Sequence, residues 1–348
     1  MKRCVFSKKH CYWSLVVCIV FILGLTSVLR LGPSVEYKPP PAVCPKPPLA
    51  LQPLDSKRVF KQPNVLSDPC RRTDVEFLTP WLAPIVWDTT FDTALLDAIH
   101  GPRNITVATT VFAVGKYVRF LRDFLETAER HYFVGSNVRL RYYVFTDQPD
   151  KVPSVEMGVG RELLIRSVPA RDRWQDISAG RMKYIQALIE SELLGHADYI
   201  FCLDVDDKFH AHWGTETLGQ LVAVLHPWFY TTKRESFTYE RSSASTAYMA
   251  PDEGDYYYQA AVFGGELGPV HHLVSTCFHN WELDKLRGIE AVWQDESHFN
   301  RYLWLHKPSK VLSPEYLWRD DAWPTLPEIK IKRFSSVSKD YAEVRPNV

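Results

Sequence analysis

The sequence from residue 198 to residue 207 reads Asp198-Tyr199-Ile200-Phe201-Cys202-Leu203-Asp204-Val205-Asp206-Asp207 and decides the fold class. Residues 199–203 are all apolar and do not alternate with polar residues, a pattern typical of a strand covered on both faces in a parallel sheet. The acids then stand at the carboxyl end of the strand, the edge where open α/β sheets bind ligands. Asp204 and Asp206 lie two residues apart, so on an extended chain they share a face and can present oxygens to one divalent cation. The alternative is an acidic turn, because aspartate readily bonds its own backbone after a strand.

Strand and helix patterns alternate around this stretch, which predicts an α/β fold with a doubly wound, mostly parallel twisted sheet. The hydrophobic periodicity before it predicts three strands, at residues 105–112, 138–147 and 162–168. It also predicts an amphipathic helix through Phe120, Phe124 and Ala128 and a helix at 178–194. After it, we predict helices at 215–225, 269–287 and 293–305 and a strand at 228–230. A run from Tyr256 ends in Gly264-Gly265, which permits either close backbone approach to a ligand or a simple turn.

Composition limits the class of protein without naming a partner. The 348 residues fit one enzyme domain with accessory segments as well as two domains. Lys+Arg and Asp+Glu balance at 41 each, so charge gives no reason to expect a nucleic-acid partner. The phosphate-loop, dinucleotide and His-Glu-x-x-His patterns are absent from the sequence, which argues against nucleoside triphosphatase, dehydrogenase and zinc protease chemistry.

The amino-terminal segment has the pattern of a membrane anchor. Residues 11–30 form the predicted anchor, because the chain is almost wholly apolar from Cys11 to about Leu29 and long enough to span a hydrocarbon core of about 30 Å. The basic residues of a cytosolic tail at 1–10 precede it. A cleaved signal peptide is the alternative. Residues 31–74 are proline-rich and predict a stem, which leaves 75–348 as a lumenal catalytic domain. Asn104 begins a glycosylation sequon, consistent with this type II topology in the Golgi membrane.

A second pair of acids, Asp295-Glu296, lies in the aromatic-rich stretch 293–298. One interpretation is structural, because acids in the first turn of a helix complement its dipole. The other is chemical. Transfer from a nucleotide sugar needs a cation for the diphosphate, basic side chains, and a carboxylate near the sugar carbon that becomes positive. Asp204 and Asp206 supply candidate metal oxygens, and Mn²⁺ or Mg²⁺ suits carboxylate ligands.

Eight sequence motifs follow one another between Thr79 and Trp318. They are Thr79 to Val86, Val111 to Tyr117, Arg173 to Asp176, Asp204 to Asp206, Phe237 to Arg241, Phe263 to Gly265, Asp295 to His298 and Ser313 to Trp318. From about Leu78 to Val344 the chain thereby resembles glycosyltransferase family 6. The resemblance implies a GT-A type nucleotide-sugar fold. It also implies retaining α-1,3 transfer of galactose or N-acetylgalactosamine from the uridine diphosphate sugar to a galactose-terminated glycan.

The resemblance also implies roles for individual residues. Glu296 is the expected catalytic carboxylate beside the anomeric carbon, and Asp204 and Asp206 are the expected ligands of the cofactor, Mn²⁺. The expected donor-binding residues are Phe112, Ala113, Val114, Tyr117, Arg181, Asp204, Val205, Asp206, Gln259, Ala260, Ala261, Asp295, Lys339 and Arg345. The expected acceptor-binding residues are His226, Thr238, Trp293 and Glu296.

Donor choice is expected to depend on Trp228, Gln259 and Ala261, where a methyl at Ala261 crowds an N-acetyl group and favours galactose. The chain departs from the family pattern at Arg319, where an acceptor-binding aspartate is usual, with Asp320 as the candidate replacement. The rival hypothesis from another class is a catalytically silent carbohydrate-binding relative. Retention of the acids and of the basic tail argues against it.

Overall fold

The structure is a computed structural model that describes residues 72–170, 173–320 and 326–344. The predicted tail at 1–10, the predicted anchor at 11–30, nearly all of the predicted stem and Arg345 lie outside these ranges. Within them, no helix combines the length and apolar character that crossing a membrane requires.

Eleven strands are formed within the described ranges. They are β1 (Ile85–Val86), β2 (Thr106–Phe112), β3 (Arg139–Thr146), β4 (Arg161–Ser167), β5 (Tyr199–Leu203), β6 (Asp207–Phe209), β7 (Leu221–Leu225), β8 (Tyr258–Glu266), β9 (Lys310–Leu312), β10 (Trp318–Arg319) and β11 (Phe334–Ser336). Eight of them form a sheet in the order β1-β9-β7-β8-β5-β2-β3-β4. Its strand pairs are parallel except where β8 runs antiparallel to β5 and β7. The predicted α/β fold with a mostly parallel sheet is therefore confirmed.

Six α-helices accompany the strands in the described part of the chain. They are α1 (Thr93–His100), α2 (Leu121–His131), α3 (Trp174–Leu188), α4 (Leu267–Leu286), α5 (Gln294–Leu305) and α6 (Tyr341–Val344). Buried side chains of α2 belong to one hydrophobic cluster, and those of α3, α4 and α5 belong to another. Residues of β2 and β5 alternate between the two clusters, so the sheet is covered on both faces.

Strand β5 is the apolar run from which the fold class was predicted. All five of its residues are buried, and it lies between β2 and β8 near the middle of the sheet. Beyond its last residue the Asp204 N–H donates to the Ala261 carbonyl over 3.0 Å. The chain then turns into β6, which pairs with β11, and Val337 N–H donates to the Asp206 carbonyl over 2.9 Å. This second, smaller sheet brings the carboxyl-terminal tail to the acids.

Two local predictions after β5 are wrong. Residues 215–225, predicted to be helical, form a short 3-10 turn at Thr215–Thr217 and then the strand β7. Leu221 to Leu225 is an unbroken apolar run of five buried residues, and such a run has no period that separates a buried strand from a buried helix. Residues 228–230, predicted to be a strand, lie in turns.

The glycine pair Gly264-Gly265 serves the sheet itself. A Cβ on Gly264 would overlap with the Phe201 ring and the Ile200 carbonyl oxygen of β5. Gly265 has φ of +141°, and a Cβ there would overlap with the Gln220 carbonyl. The pair therefore lies within β8 with the positive φ and the close backbone approach expected for it, the approach being between strand neighbours, and the interpretation as a simple turn is wrong.

We expect Gly264→Ala to destabilise the protein by about 2 kcal/mol or more, because the added methyl overfills a packed strand pair. Gly268→Ala is the matched control, since no atom stands within 4 Å of a Cβ at that helical position. Thermal unfolding of the two variants is the measurement. A melting temperature lowered equally in both would contradict the packing argument.

Candidate active site

A cleft of about 610 Å³ opens at the carboxyl ends of β2 and β5. The start of β8, the start of α5 and the carboxyl-terminal tail complete its walls. This is the edge of a mostly parallel sheet where ligands ordinarily bind. The prediction that the acids after β5 face a ligand cleft agrees with this arrangement.

The cleft brings together most of the residues selected from the sequence. The expected donor residues that line it are Phe112, Val114, Tyr117, Arg181, Asp204, Val205, Asp206, Gln259, Ala260, Ala261, Asp295 and Lys339. The expected acceptor residues that line it are His226, Thr238, Trp293 and Glu296. Ala113 does not line it, because its side chain is fully buried in the core while its N–H donates to the Phe145 carbonyl.

Arg181 connects the two acid motifs. It lies on α3 with 7% of its surface exposed, and its Nη1 donates to Asp204 Oδ1 over 2.7 Å. Its Nε donates to Asp295 Oδ2 over 2.8 Å, and its Nη2 donates to the Ala260 carbonyl over 2.8 Å. Burial opposes the positive charge, but Asp295 and Asp204 outweigh it and raise the pKa of Arg181. The guanidinium therefore stays charged and holds both motifs beside each other.

Asp204 and Asp206 each have a cationic partner. Asp204 is bonded to Arg181, while the Lys339 ammonium of the tail contacts Asp206 and lies 5.4 Å from the centre of the Tyr117 ring. Two carboxylates on one turn are oxygen ligands of the kind that Mg²⁺ and Mn²⁺ prefer. The residues present thus fit a divalent cation, provided that Lys339 gives up Asp206. Within the described ranges, no three His, Cys, Asp or Glu side chains form a ready-made metal cage.

Glu296 stands at the start of α5 with both carboxylate oxygens bonded. Oε1 accepts from the Tyr257 hydroxyl over 2.9 Å, and Oε2 accepts from the Ala260 N–H over 3.0 Å. Burial raises the pKa of Glu296 to about 7, although the two donors pull it down. A carboxylate held in this way faces the cleft in a defined orientation and becomes fully ionised only above neutral pH.

His226 presents a neutral imidazole to the cleft. Burial lowers the pKa of His226 to about 4, so the ring is uncharged near neutral pH. The Trp228 N–H donates to Nδ1 over 3.2 Å, and we therefore assign the ring proton to Nε2. This arrangement leaves Nε2 as a hydrogen-bond donor, which suits the expected contact with a sugar hydroxyl.

Asp320, the candidate replacement for an acceptor-binding aspartate, is held by lysine side chains. Its carboxylate lies 3.4 Å from the Lys208 ammonium and 3.8 Å from the Lys332 ammonium, and it is not among the cleft-lining residues. Arg319 does line the cleft, with its guanidinium 5.7 Å from the ring centre of Trp228, a side chain that is 63% exposed. The mouth of the cleft therefore carries an Arg–Trp pair.

Sequence reasoning missed two side chains that hold the site. Tyr257 is the hydroxyl donor to Glu296, and the aromatic run Tyr256-Tyr257-Tyr258 was the only signal for it. Ser178 donates to Asp295 from α3 and shares that carboxylate with Arg181. No sequence spacing indicates either contact, because the two residues of each pair are far apart in the chain.

Comparison with known proteins shows the family of the chain. The sequence profile described as glycosyltransferase family 6 matches residues 50–346. The chain belongs to glycosyltransferase family 6. It is 49% identical to the rat histo-blood group ABO system transferase 2 over 83% of this chain and 86% of that one. It is 48% identical to the chicken globoside alpha-1,3-N-acetylgalactosaminyltransferase 1 over 82% of each chain. It is 41% identical to the human alpha-1,3-galactosyltransferase 2 over 80% of this chain and 81% of that one.

The resemblance found in the sequence and the prediction of a glycosyltransferase are thus confirmed. Both acid motifs belong to the matched region, and Arg181 joins them.

We expect Glu296→Gln to stabilise the protein at pH 8 but not at pH 4. A carboxyl whose folded pKa is about 7, against 4.5 for the free group, loses stability as pH rises through that interval. Glutamine removes the charge, its carbonyl oxygen still accepts from the Ala260 N–H, and its amide N–H can donate to the Tyr257 hydroxyl oxygen, so the gain at pH 8 is roughly 2 to 3 kcal/mol. Thermal unfolding at the two pH values measures it, with the exposed Glu156→Gln as control. An equal effect at both pH values would contradict the raised pKa.

Proposed function

We propose that this chain is a retaining α-1,3-galactosyltransferase of the Golgi. It would transfer galactose from UDP-galactose to a galactose-terminated glycan on a lipid or protein. The observation that carries the proposal is the single cleft in which Asp204 and Asp206 stand across from Glu296, with Arg181 joining the two sides. We further assign the fold to the GT-A type.

Donor binding is assigned to the side of the cleft that β2 and the tail form. Tyr117 and Phe112 offer aromatic faces for the uracil, and aromatic stacking tolerates a planar base without further fixed contacts. Mn²⁺, when bound at Asp204 and Asp206, would neutralise the diphosphate and stabilise it as a leaving group. Lys339 then turns from Asp206 to the phosphate oxygens, and Arg345 is the second expected cation of the tail.

Glu296 is assigned to the sugar carbon that becomes positive. Its ionised carboxylate either attacks that carbon to form a covalent glycosyl-enzyme or stabilises a short-lived ion pair during attack from the same face. Tyr257 and the Ala260 N–H hold the carboxylate in place in both routes. His226 and Thr238 are assigned to the acceptor sugar, with the Nε2 proton of His226 directed to a hydroxyl.

Galactose is favoured as the transferred sugar because the Ala261 methyl lines the cleft beside the strand-end acids. N-acetylgalactosamine is the second candidate, since the similar chicken protein is named for transfer of that sugar. We assign the protein to the Golgi membrane because the predicted anchor at 11–30 would make it a type II membrane protein. Residues 75–348 would then lie in the lumen. Asn104 is exposed, as glycosylation there requires.

The test of activity uses the purified full-length protein with radiolabelled UDP-galactose and a panel of galactose-terminated acceptors. We expect transfer in Mn²⁺ and its loss in a chelator. We expect Glu296→Gln to lower kcat roughly 100-fold or more while the Kd for UDP-galactose changes little, because the charge acts mainly in the transition state. Glu156→Gln is the control. Donor binding without transfer or donor hydrolysis in the wild type would instead support the silent carbohydrate-binding relative.

The test of donor choice compares UDP-galactose with UDP-N-acetylgalactosamine. We expect Ala261→Gly to raise the relative kcat/KM for the N-acetylated donor about 10-fold or more, since one methyl in a pocket has an effect of this size. The Kd for UDP, which lacks the sugar, serves as the control and is expected to stay the same. An unchanged ratio of the two donors would remove Ala261 from the specificity assignment.

A further inference from the structure

The turn before β1 presents an exposed leucine in an unusual backbone conformation. Leu82 has φ of +65° and is 77% exposed. The turn is closed, because Leu82 N–H donates to the Thr79 carbonyl over 2.9 Å and Ala83 N–H donates to Thr79 Oγ1 over 2.9 Å. A positive φ favours glycine or asparagine, and an exposed side chain adds nothing to the core. Neither the backbone nor packing within the body therefore accounts for a leucine at this position.

The end of α5 brings a second exposed leucine to the same region. Trp81 Nε1 donates to the Pro308 carbonyl over 2.8 Å, which joins the turn to the segment after α5. The Lys307 ammonium lies 5.3 Å from the ring centre of Trp81 and 3.7 Å from that of Trp304. Leu305, the last residue of α5, is 58% exposed. We define the Trp–Leu surface as Trp81, Leu82, Trp304 and Leu305.

The Trp–Leu surface offers apolar contact and little charge. The ammonium of Lys307, which lies between the two indoles, also contacts Asp255, so its charge is compensated within the body. Tryptophan rings and lysine stems with polar tips are groups that favour the boundary between hydrocarbon and water. A partner recognised here would therefore be held through its apolar groups.

The sequence indicates that a lipid bilayer is within reach of this surface. Residues 11–30 are the predicted anchor, and the described chain begins at Arg72, shortly before the turn. A body tethered to an anchor meets the bilayer at a high effective concentration, so a few exposed apolar side chains are enough for contact. A second copy of the chain would need an interface of about 1,000 Å² or more, which four side chains do not supply.

We propose that the Trp–Leu surface docks onto the lipid bilayer that holds the anchor. The proposal rests on the type II topology of the proposed function. Trp304 packs against the aromatic cluster that contains Tyr257, and the Tyr257 ring lies 5.5 Å from that of His226. Docking thus holds the side of the cleft assigned to the acceptor close to the membrane.

The proposal predicts opposite effects of one substitution on stability and on lipid contact. Asparagine adopts a positive φ more readily than leucine, so we expect Leu82→Asn to melt at the same or a higher temperature. We expect the double variant of Leu82→Asn with Leu305→Gln to lose most of its lipid contact, because both apolar side chains become polar. A leucine needed only for folding would instead lower the melting temperature of Leu82→Asn and leave lipid contact unchanged.

The experiment places the full-length protein in phosphatidylcholine nanodiscs that contain a phospholipid with a photoreactive diazirine in its acyl chain. Mass spectrometry then locates the lipid adducts, and adducts within 11–30 report insertion of the anchor. We expect adducts at the Trp–Leu surface, reduced about 5-fold or more in the double variant. Leu194→Gln is the matched control, because Leu194 is 61% exposed and lies outside this surface, and we expect it to label like the wild type.

The outcomes separate this inference from the proposed function. Adducts within 11–30 without adducts at the Trp–Leu surface would overturn the inference and leave the anchor intact. A dimer in detergent that the double variant dissociates would also overturn it, because a second copy would then cover the surface. Absence of adducts from 11–30 would overturn the type II topology itself. Transfer to a soluble acceptor is expected to stay the same in all variants, since none of the substituted residues lines the cleft.

Discussion

The buried guanidinium of Arg181 is the interaction on which the geometry of the cleft depends. It bonds an acid at the end of β5, an acid at the start of α5 and a carbonyl at the edge of β8. These three segments are far apart in sequence, and the backbone of each ends or begins at the cleft. A buried cation is stable only when its partners are in place, so loss of either acid leaves a buried N–H group of Arg181 without its acceptor. Arg181 thereby fixes the separation between the strand-end acids and Glu296.

Four acids of the cleft, Asp204, Asp206, Asp295 and Glu296, each have a partner in the structure. Asp204 and Asp295 share Arg181, Asp206 contacts Lys339, and Glu296 is held by neutral donors. The proposed reaction is an exchange of partners in this set. The cation would bind Asp206 and the diphosphate would bind Lys339, so the contact between these two side chains would be lost, while Arg181 keeps its bonds. The part of the site that moves is then the tail, and the part that stays is the bridge between the two acid motifs.

The sequence predicted the elements whose pattern is local. Strand β5 and the acids after it were recognisable because an apolar run and its polar end occur together in ten residues. The same criterion failed at Leu221 to Leu225, where an apolar run fits a buried strand and a buried helix equally well. The contacts of Tyr257 with Glu296 and of Ser178 with Asp295 were not predictable, because each joins segments that meet only in the folded chain. Family resemblance supplied the candidate residues, and the structure supplied their partners.

The most direct test of the account is a crystal structure of the protein with Mn²⁺ and UDP, with the metal located by anomalous scattering. We predict one anomalous peak within bonding distance of Asp204 or Asp206 and of the UDP diphosphate. Lys339 is then expected to contact a phosphate oxygen, while Arg181 still bridges Asp204 and Asp295. A peak away from these acids, or Lys339 remaining on Asp206 with UDP bound elsewhere, would contradict the account.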